Sequence, residues 1–106
     1  MIRNKKILVF GSRGLIGSKF CEKISSNNII IKPIFKKSKS NYINLGNFNS
    51  QKINYLIKKN NFDYILNFHA HTDVRYSNFN PRYDFYHNCS LTHSIINALI
   101  KNKSKA

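Results

Sequence analysis

The chain has 106 residues, which allows one small domain with a single core. Its 18 lysines and arginines against 4 aspartates and glutamates give a net charge of +14, which suggests a polyanion partner. We nevertheless disfavour a nucleic-acid binder, because the basic residues are scattered without interleaved aromatic residues and because lysine, asparagine and isoleucine share A/T-rich codons. Two cysteines without C-x-x-C spacing exclude a disulfide scaffold, and no apolar run could span a membrane, so we expect a cytoplasmic protein.

A buried strand leading into a glycine-rich turn dominates the first part of the chain. Residues 7–10 are all apolar, which predicts a central parallel strand. Gly11 would allow the tight turn, Gly14 a close approach of the backbone to a pyrophosphate, and Gly17 close packing of the next helix on the strand. The N-terminus of that helix favours a dianionic ligand. We therefore interpret the G-x-x-G-x-x-G turn as a dinucleotide site, with a purely structural turn as the alternative.

Helix and strand patterns alternate through residues 15–68. A helix is predicted over residues 15–25, with Ile16, Phe20 and Ile24 on its inner face because they recur every four residues. Pro33 would interrupt the second strand, since it cannot donate a ladder hydrogen bond. The other predicted elements are strands at 29–35, 42–45 and 64–68 and a helix at 50–60 with Ile53, Leu56 and Ile57 facing inward.

The last third of the chain begins with a polar segment and continues with a helical pattern. Residues 69–80 are polar without a steady period, which predicts a ligand-facing loop. Asn80 and Pro81 predict the start of a helix that ends near residue 101. Its predicted inner face consists of Phe85, Cys89, Thr92, Ile96 and Leu99. The pattern β-α-β-β-α-β-α predicts an α/β domain with a parallel sheet and right-handed crossovers.

From end to end these motifs resemble the extended short-chain dehydrogenase/reductases that act on nucleotide sugars, the NAD-dependent epimerase/dehydratases. The turn at residues 11–17 matches their phosphate turn, and residues 44–45 stand where they usually have Asp-Leu beside the adenine. Residues 62–70 fall on their P-D-x-V-I-H-x-A-A tract, residues 74–81 on V-x-x-S-x-x-x-P, and residues 88–92 on N-x-x-G-T. The resemblance implies a Rossmann-like parallel sheet of order 3-2-1-4 with helices on both faces.

The resemblance also implies which residues bind an NAD(P) cofactor. Those near the pyrophosphate and adenosine would be Gly11, Arg13, Gly14, Leu15, Ile16, Gly17, Asn44 and Leu45. Those along the inner edge of the dinucleotide and on the cofactor side of the last helix would be Phe68, His69, Ala70 and Asn88. The family's acidic residue for the ribose 2′-hydroxyl of NAD is missing near residues 35–37. Lys36 and Arg13 would instead pair with the 2′-phosphate of NADP, so NADP is slightly favoured over NAD.

No catalytic residue is assigned to this chain. The family uses a Tyr-x-x-x-Lys pair for proton exchange with the sugar, and that pair lies in the family's second half. The same spacing occurs here once, at Tyr55 and Lys59, but on a predicted solvent-facing helix, and we interpret it as chance. His69 and His71 have a metal-ligand spacing without a third fixed ligand, so we predict no metal site and interpret them as loop-lining residues.

The expected function is therefore that of one part of an enzyme. The resemblance implies that residues 1–106 form the NAD(P)-binding portion of a longer nucleotide-sugar epimerase, dehydratase or reductase, in which hydride passes between the sugar and the nicotinamide. The expected partners are the dinucleotide, a nucleotide sugar in the full-length protein and a second copy in a homodimer. Two alternatives remain open: a non-catalytic NAD(P)-binding or regulatory protein, and a basic nucleic-acid binder.

Overall fold

A parallel sheet with helices on both sides forms the domain, and the computed structural model describes residues 2–34, 43–44, 50–70 and 74–106. A 3-10 turn, Ser25–Asn27, follows α1, and a π-helical turn, Tyr86–Ser90, separates α4 from α5. The elements in chain order are β1 (Lys6–Phe10), α1 (Leu15–Ile24), β2 (Ile29–Ile31), β3 (Pro33–Ile34), β4 (Ile43–Asn44), α2 (Ser50–Lys59), β5 (Tyr64–Asn67), α3 (Val74–Phe79), α4 (Pro81–Phe85) and α5 (Leu91–Lys101).

The sheet has the predicted strand order. Strand β1 pairs in parallel with β2 on one side and with β5 on the other, so that Leu8 lies opposite both Ile31 and Ile65. Only Lys32 separates β2 from β3, which pairs in parallel with β4. β2 and β3 are the two pieces of the predicted second strand, broken next to Pro33, which cannot donate a ladder hydrogen bond. Strands β2, β1 and β5 form a three-stranded sheet and β3 and β4 a separate two-stranded one, so the predicted order 3-2-1-4 is confirmed with a break inside the second predicted strand.

Helices cover both faces of the sheet, as predicted. Because side chains alternate along a strand, Ile7 and Val9 point to one face of β1 while Leu8 and Phe10 point to the other. Helix α1 packs Cys21 on the first pair. Helices α2 and α5 cover the second pair with a larger cluster, whose other buried members are Ile53, Leu56, Ile57, Phe62, Leu91, Ile95 and Ala98. The predicted inner face of α2 is confirmed.

The predicted inner face of the first helix is partly wrong. Ile16 is 69% exposed, and Phe20 is only partly buried. Ile24 packs on the sheet as predicted, while the buried residues of α1 are Gly17 and Cys21. Gly17 lies against the carbonyl group of Gly11, and Ile16, which is about 100° away from it around the helix, faces outward.

The predicted last helix is interrupted, and most of its predicted inner face is wrong. Phe85 and Ile96 are 61% and 52% exposed, and Cys89 and Thr92 are exposed as well. The buried residues are Leu91, Ile95 and Ala98, while Leu99 packs against the same cluster. Each residue of an α-helix advances by about 100°, so the wider π turn shifts the phase between α4 and α5. A face extrapolated with one helical period from residue 85 to residue 99 therefore does not match the face of α5 that is buried.

The predicted ligand-facing loop at residues 69–80 is also partly helical. Residues Val74–Phe79 form α3, and α4 starts at Pro81 after Asn80. A helix of this length is too short to show a helical period in its sequence, so the polar composition suggested a loop. Residues 71–73 lie outside the described part of the chain.

The side-chain amide of Asn102 links the end of α5 to α2 by a hydrogen bond. Its Nδ2 donates to Asn54 Oδ1 and to the carbonyl of Ala98, both at 2.8 Å. We expect Asn102→Ala to lower the free energy of unfolding by about 1 kcal/mol, because a partly buried hydrogen-bonded pair is lost. Urea denaturation followed by circular dichroism measures this. The matched control is Asn97→Ala on the exposed side of α5, for which we expect a change within about 0.5 kcal/mol; equal losses in both variants would contradict the assignment.

Candidate dinucleotide-binding site

Two glycines make the turn between β1 and α1 sterically possible. Gly11 has a φ of 76°, in the left-handed region that favours glycine. A Cβ on Gly11 would lie 2.5 Å from His69 N and from Phe68 C, and a Cβ on Gly17 would overlap the carbonyl group of Gly11. These positions therefore require glycine because the protein's own backbone passes so close.

Gly14 differs from the other two glycines. A Cβ there would meet only the carbonyl oxygen of Gly11, at 3.4 Å, which is close to ordinary contact. Its φ of −74° and ψ of 173° are open to any residue. Nothing in the described fold therefore requires glycine at position 14. This is the result expected if the glycine leaves room for a bound ligand.

Helix α1 begins at this turn with an open N-terminus. Gly14 is its N-cap, no side chain caps it, and its first turn contains no acidic residue. Backbone N–H groups and the positive end of the helix dipole at such a terminus favour an anionic ligand. Leu15 and Ile16 are 81% and 69% exposed, and Arg13 is also exposed. The predicted turn residues thus lie together on the surface around one helix N-terminus.

Ser12 is the functional candidate in this turn that the sequence analysis missed. Its side chain is only 4% exposed, and its Oγ has no hydrogen-bond partner among the described residues. A buried hydroxyl without a partner costs about 1–3 kcal/mol. An anionic oxygen held at the turn would accept a hydrogen bond from this hydroxyl, so the donor set fits a phosphate group. The feature of the sequence that could have identified Ser12 is its position between Gly11 and Gly14 in the phosphate turn.

The end of β5 lies beside the glycine turn. Phe68 N donates to the carbonyl of Phe10 at 2.9 Å, which extends the pairing of β5 with β1 by one residue. The Phe68 ring packs against Phe20 of α1, with ring centroids 5.5 Å apart. Ala70 is exposed. The carboxyl ends of two neighbouring parallel strands therefore meet here, the edge at which ligands bind in open α/β sheets.

His69 forms a pair with His87 of the π turn. The Nε2 of His69 lies 2.7 Å from Nδ1 of His87, and the ring centroids are 5.0 Å apart. Burial, and to a smaller extent the charge of His87, lowers the pKa of His69. Both effects disfavour the charged form, so His69 is neutral near pH 7. Sequence analysis did not predict this partner, which lies 18 residues further along the chain.

Side-chain hydrogen bonds join α5 to the end of β5 and the π turn to α4. Asn67 Nδ2 donates to Thr92 Oγ1 at 3.1 Å, and Asn67 Oδ1 accepts from His69 N at 3.0 Å. The amide of Asn88 donates to Asp84 Oδ1 at 3.0 Å. Asn88 is thus held within the chain, in the element that carries His87.

The remaining predicted residues lie on other elements or outside the described residues. Asn44 ends β4, and Lys36 and Leu45 lie outside the described part of the chain. The Tyr55 ring is 61% exposed on α2, with Lys59 Nζ 5.6 Å from its centroid, as expected for a surface pair. Within the described ranges, no cluster of three or more histidine, cysteine, aspartate or glutamate side chains could hold a metal ion, and no helix could cross a membrane.

These features define an α/β domain in which a buried central strand passes through a glycine turn into a helix with an open N-terminus. The model of the NAD dependent epimerase/dehydratase family matches residues 7–106. The chain belongs to this family, which confirms the resemblance seen in the sequence. No curated protein sequence matches the chain.

Solved structures share the fold at low sequence identity. UDP-N-acetylglucosamine 4-epimerase from Methanobrevibacter ruminantium M1, in complex with UDP-N-acetylmuramic acid, is 18% identical with a TM-score of 0.77 over 98% of this chain. A hypothetical dTDP-4-dehydrorhamnose reductase from Sulfolobus tokodaii is 21% identical with a TM-score of 0.82 over 93%. The Bordetella bronchiseptica enzyme WbmH, in complex with NAD+, is 20% identical with a TM-score of 0.73 over 95%. This chain spans 36% of the length of each of these three proteins.

Proposed function

We propose that this chain binds NAD(P) through its pyrophosphate at the N-terminus of α1. The observation that carries the proposal is the turn itself, where Gly14 caps an open helix terminus beside the buried, unpartnered Ser12 hydroxyl. Membership of an NAD-dependent family and the NAD+ complex of the Bordetella neighbour support it. A bound NAD(P) would supply the hydride chemistry of an epimerase, dehydratase or reductase.

Each group of residues would have its own part in binding the dinucleotide. The N–H groups at the start of α1 and Ser12 Oγ would donate to the pyrophosphate, while Gly11 and Gly17 keep the turn tight enough to aim them. The exposed side chains of Leu15 and Ile16 would pack on the adenosine end. Phe68, His69 and Ala70 would border the dinucleotide along the end of β5, with Asn88 on the helical side and Asn44 and Leu45 near the adenine.

The choice between NAD and NADP depends on basic residues near the ribose. Arg13 is exposed in the turn and, with Lys36, would pair with a 2′-phosphate. NADP is accordingly favoured slightly over NAD. Parallel titrations with both dinucleotides test this preference, and equal or tighter binding of NAD would overturn it.

The chain would supply the cofactor-binding part of a nucleotide-sugar enzyme, with the catalytic residues in a further part. The support is that the chain matches its neighbours over 36% of their length. The intact mass of the natural gene product tests this. A mass well above 12.4 kDa, with a Tyr-x-x-x-Lys in the added part, is expected; a mass equal to it would leave a non-catalytic cofactor-binding protein. A cytoplasmic location and a homodimer stay predictions, the second tested by sedimentation.

Calorimetric titration tests cofactor binding itself. We expect saturable binding of NAD+ or NADP+ with one site per chain. Because a few specific contacts hold the dinucleotide, moderate salt should change its affinity little, whereas nucleic-acid binding through a charge of +14 would weaken steeply with salt. Binding of an oligonucleotide with a steep salt dependence, and no binding of either dinucleotide, would favour the nucleic-acid alternative and overturn the proposal.

A further inference from the structure

His69, whose backbone lies next to the glycine turn, pairs with His87, and neither the fold nor the role proposed for His69 beside the dinucleotide requires a second histidine there. The backbone N of His69 is the atom that a Cβ on Gly11 would approach to 2.5 Å, so His69 starts in contact with the turn. Its ring then reaches His87 on the π turn, with 2.7 Å between Nε2 and Nδ1. Two titratable rings therefore begin from a backbone position next to the turn at which a pyrophosphate is expected.

The geometry of the pair accommodates one added proton. In the neutral pair one ring donates and the other accepts, since each neutral imidazole carries one N–H. A single proton added to the outer nitrogen of the donor ring makes it an imidazolium, and its hydrogen bond to the neutral partner becomes charge-assisted and stronger. A second proton would place two cations in contact and remove the acceptor. The pair can thus carry a single positive charge without breaking its contact.

The charged surroundings decide when that proton binds. Charged or titratable residues on the described elements next to the pair include Arg13 in the turn, Arg75 on α3, Arg82 and Asp84 on α4, Cys89 in the π turn and His93 on α5, while Lys6 lies at the opposite end of β1. Asp84 accepts a hydrogen bond from Asn88. Without a ligand, burial and, to a smaller extent, the charge of His87 lower the pKa of His69, so the His69 ring is neutral near pH 7. A pyrophosphate beside the turn would add negative charge and favour the protonated form.

We propose that the His69–His87 pair takes up one proton from solvent when a pyrophosphate-bearing ligand binds at the glycine turn, and returns it on release. This inference rests on the proposed function. Because the bound state holds more protons than the free state, affinity rises as the pH falls. For one proton the slope is at most tenfold per pH unit, between the pKa values of the free and bound states.

The experiment measures NAD+ affinity of the 106-residue chain at about pH 5.5 and about pH 8, the range over which histidine titrates. NAD+ is the appropriate probe because the 2′-phosphate of NADP+ itself titrates near pH 6. We expect binding to be about threefold to tenfold tighter at the lower pH. Calorimetry near neutral pH in two buffers of different ionisation enthalpy gives the protons taken up, with a value above zero and up to one expected.

Three variants locate the titrating group. In His69→Ala and in His87→Asn, which keeps a polar group near the position of Nδ1, the ratio of affinities at the two pH values should fall to about one. His93→Ala removes an exposed histidine of α5 and should keep the wild-type ratio. Circular dichroism confirms that each variant is folded.

The outcomes separate this inference from the proposed function. Saturable NAD+ binding that is independent of pH, or a pH dependence that survives both His69→Ala and His87→Asn, overturns the inference and leaves the proposed function standing. Loss of the pH dependence in both variants, together with its retention in His93→Ala, supports it. Absence of saturable binding by the wild-type chain at either pH overturns both.

Discussion

Gly17→Ala should destabilise the fold by about 3 kcal/mol or more, a large part of the free energy of unfolding of a small domain. The added Cβ would overlap the carbonyl group of Gly11, which is backbone and cannot rotate away. Either α1 must leave the sheet or the turn must open, and both would expose the packing of Cys21 on β1. Thermal and urea denaturation followed by circular dichroism measure the loss.

The neighbouring Ser18→Ala provides the control for Gly17→Ala. Ser18 is exposed, and its hydroxyl donates only to the carbonyl of Leu15 within the same helix. We expect a change within about 0.5 kcal/mol. A Gly17→Ala variant that unfolds at the same denaturant concentration as Ser18→Ala would show that α1 does not lie as close to the turn as described.

Gly14→Ala should have the opposite profile, with a stable fold and a large loss of dinucleotide affinity. Its backbone conformation suits alanine, but alanine is a poorer N-cap than glycine, which offsets the gain from lower unfolded-state entropy, so the free energy of unfolding should change by less than about 1 kcal/mol. The methyl group would instead occupy the space at the start of α1 where a pyrophosphate approaches the backbone. A steric conflict of about 1–3 kcal/mol weakens NAD+ binding by about tenfold to a hundredfold.

Calorimetric titration of Gly14→Ala beside the wild-type chain measures this effect. Ser18→Ala again serves as the control and should bind NAD+ like the wild type. Unchanged affinity in Gly14→Ala would mean that position 14 does not face the ligand, and would favour the alternative of a purely structural glycine turn.

The sequence predicted well the elements whose buried residues follow a simple, uninterrupted hydrophobic pattern. The four apolar residues of β1 are buried on both faces of the sheet, and the Ile53, Leu56 and Ile57 stripe of α2 faces the core. The same logic failed in the last helix, because the π turn at Tyr86–Ser90 has no signature in hydrophobic periodicity and changes which side of α5 faces inward. It failed at Ile16 because the closest contact of α1 is made by a glycine, which carries no hydrophobic signal.

The candidate site could be predicted where its residues are neighbours in one short sequence motif. Spacing alone placed Gly11, Gly14 and Gly17 at the carboxyl end of a buried strand, as the structure does. The motif also predicted a separate role for each glycine, but it could not show that the contacts that require glycine at position 11 come from the end of β5. Ser12 and His87 were missed for the same reason: burial and a partner across the fold define them, and neither follows from the residues beside them in the chain.

The central claim is that a dinucleotide binds at the turn between β1 and α1, and backbone NMR of the ¹⁵N-labelled chain tests it most directly. Titration with NAD+ should shift the amide signals of residues 11–17 and 68–70 in a saturable way, with the largest changes at Ser12 and at the first residues of α1. Signals at the opposite end of β1, near Lys6 and Asp63, should remain in place. No shifts in the turn at saturating NAD+, or small shifts spread over the lysine-rich surface, would contradict the account.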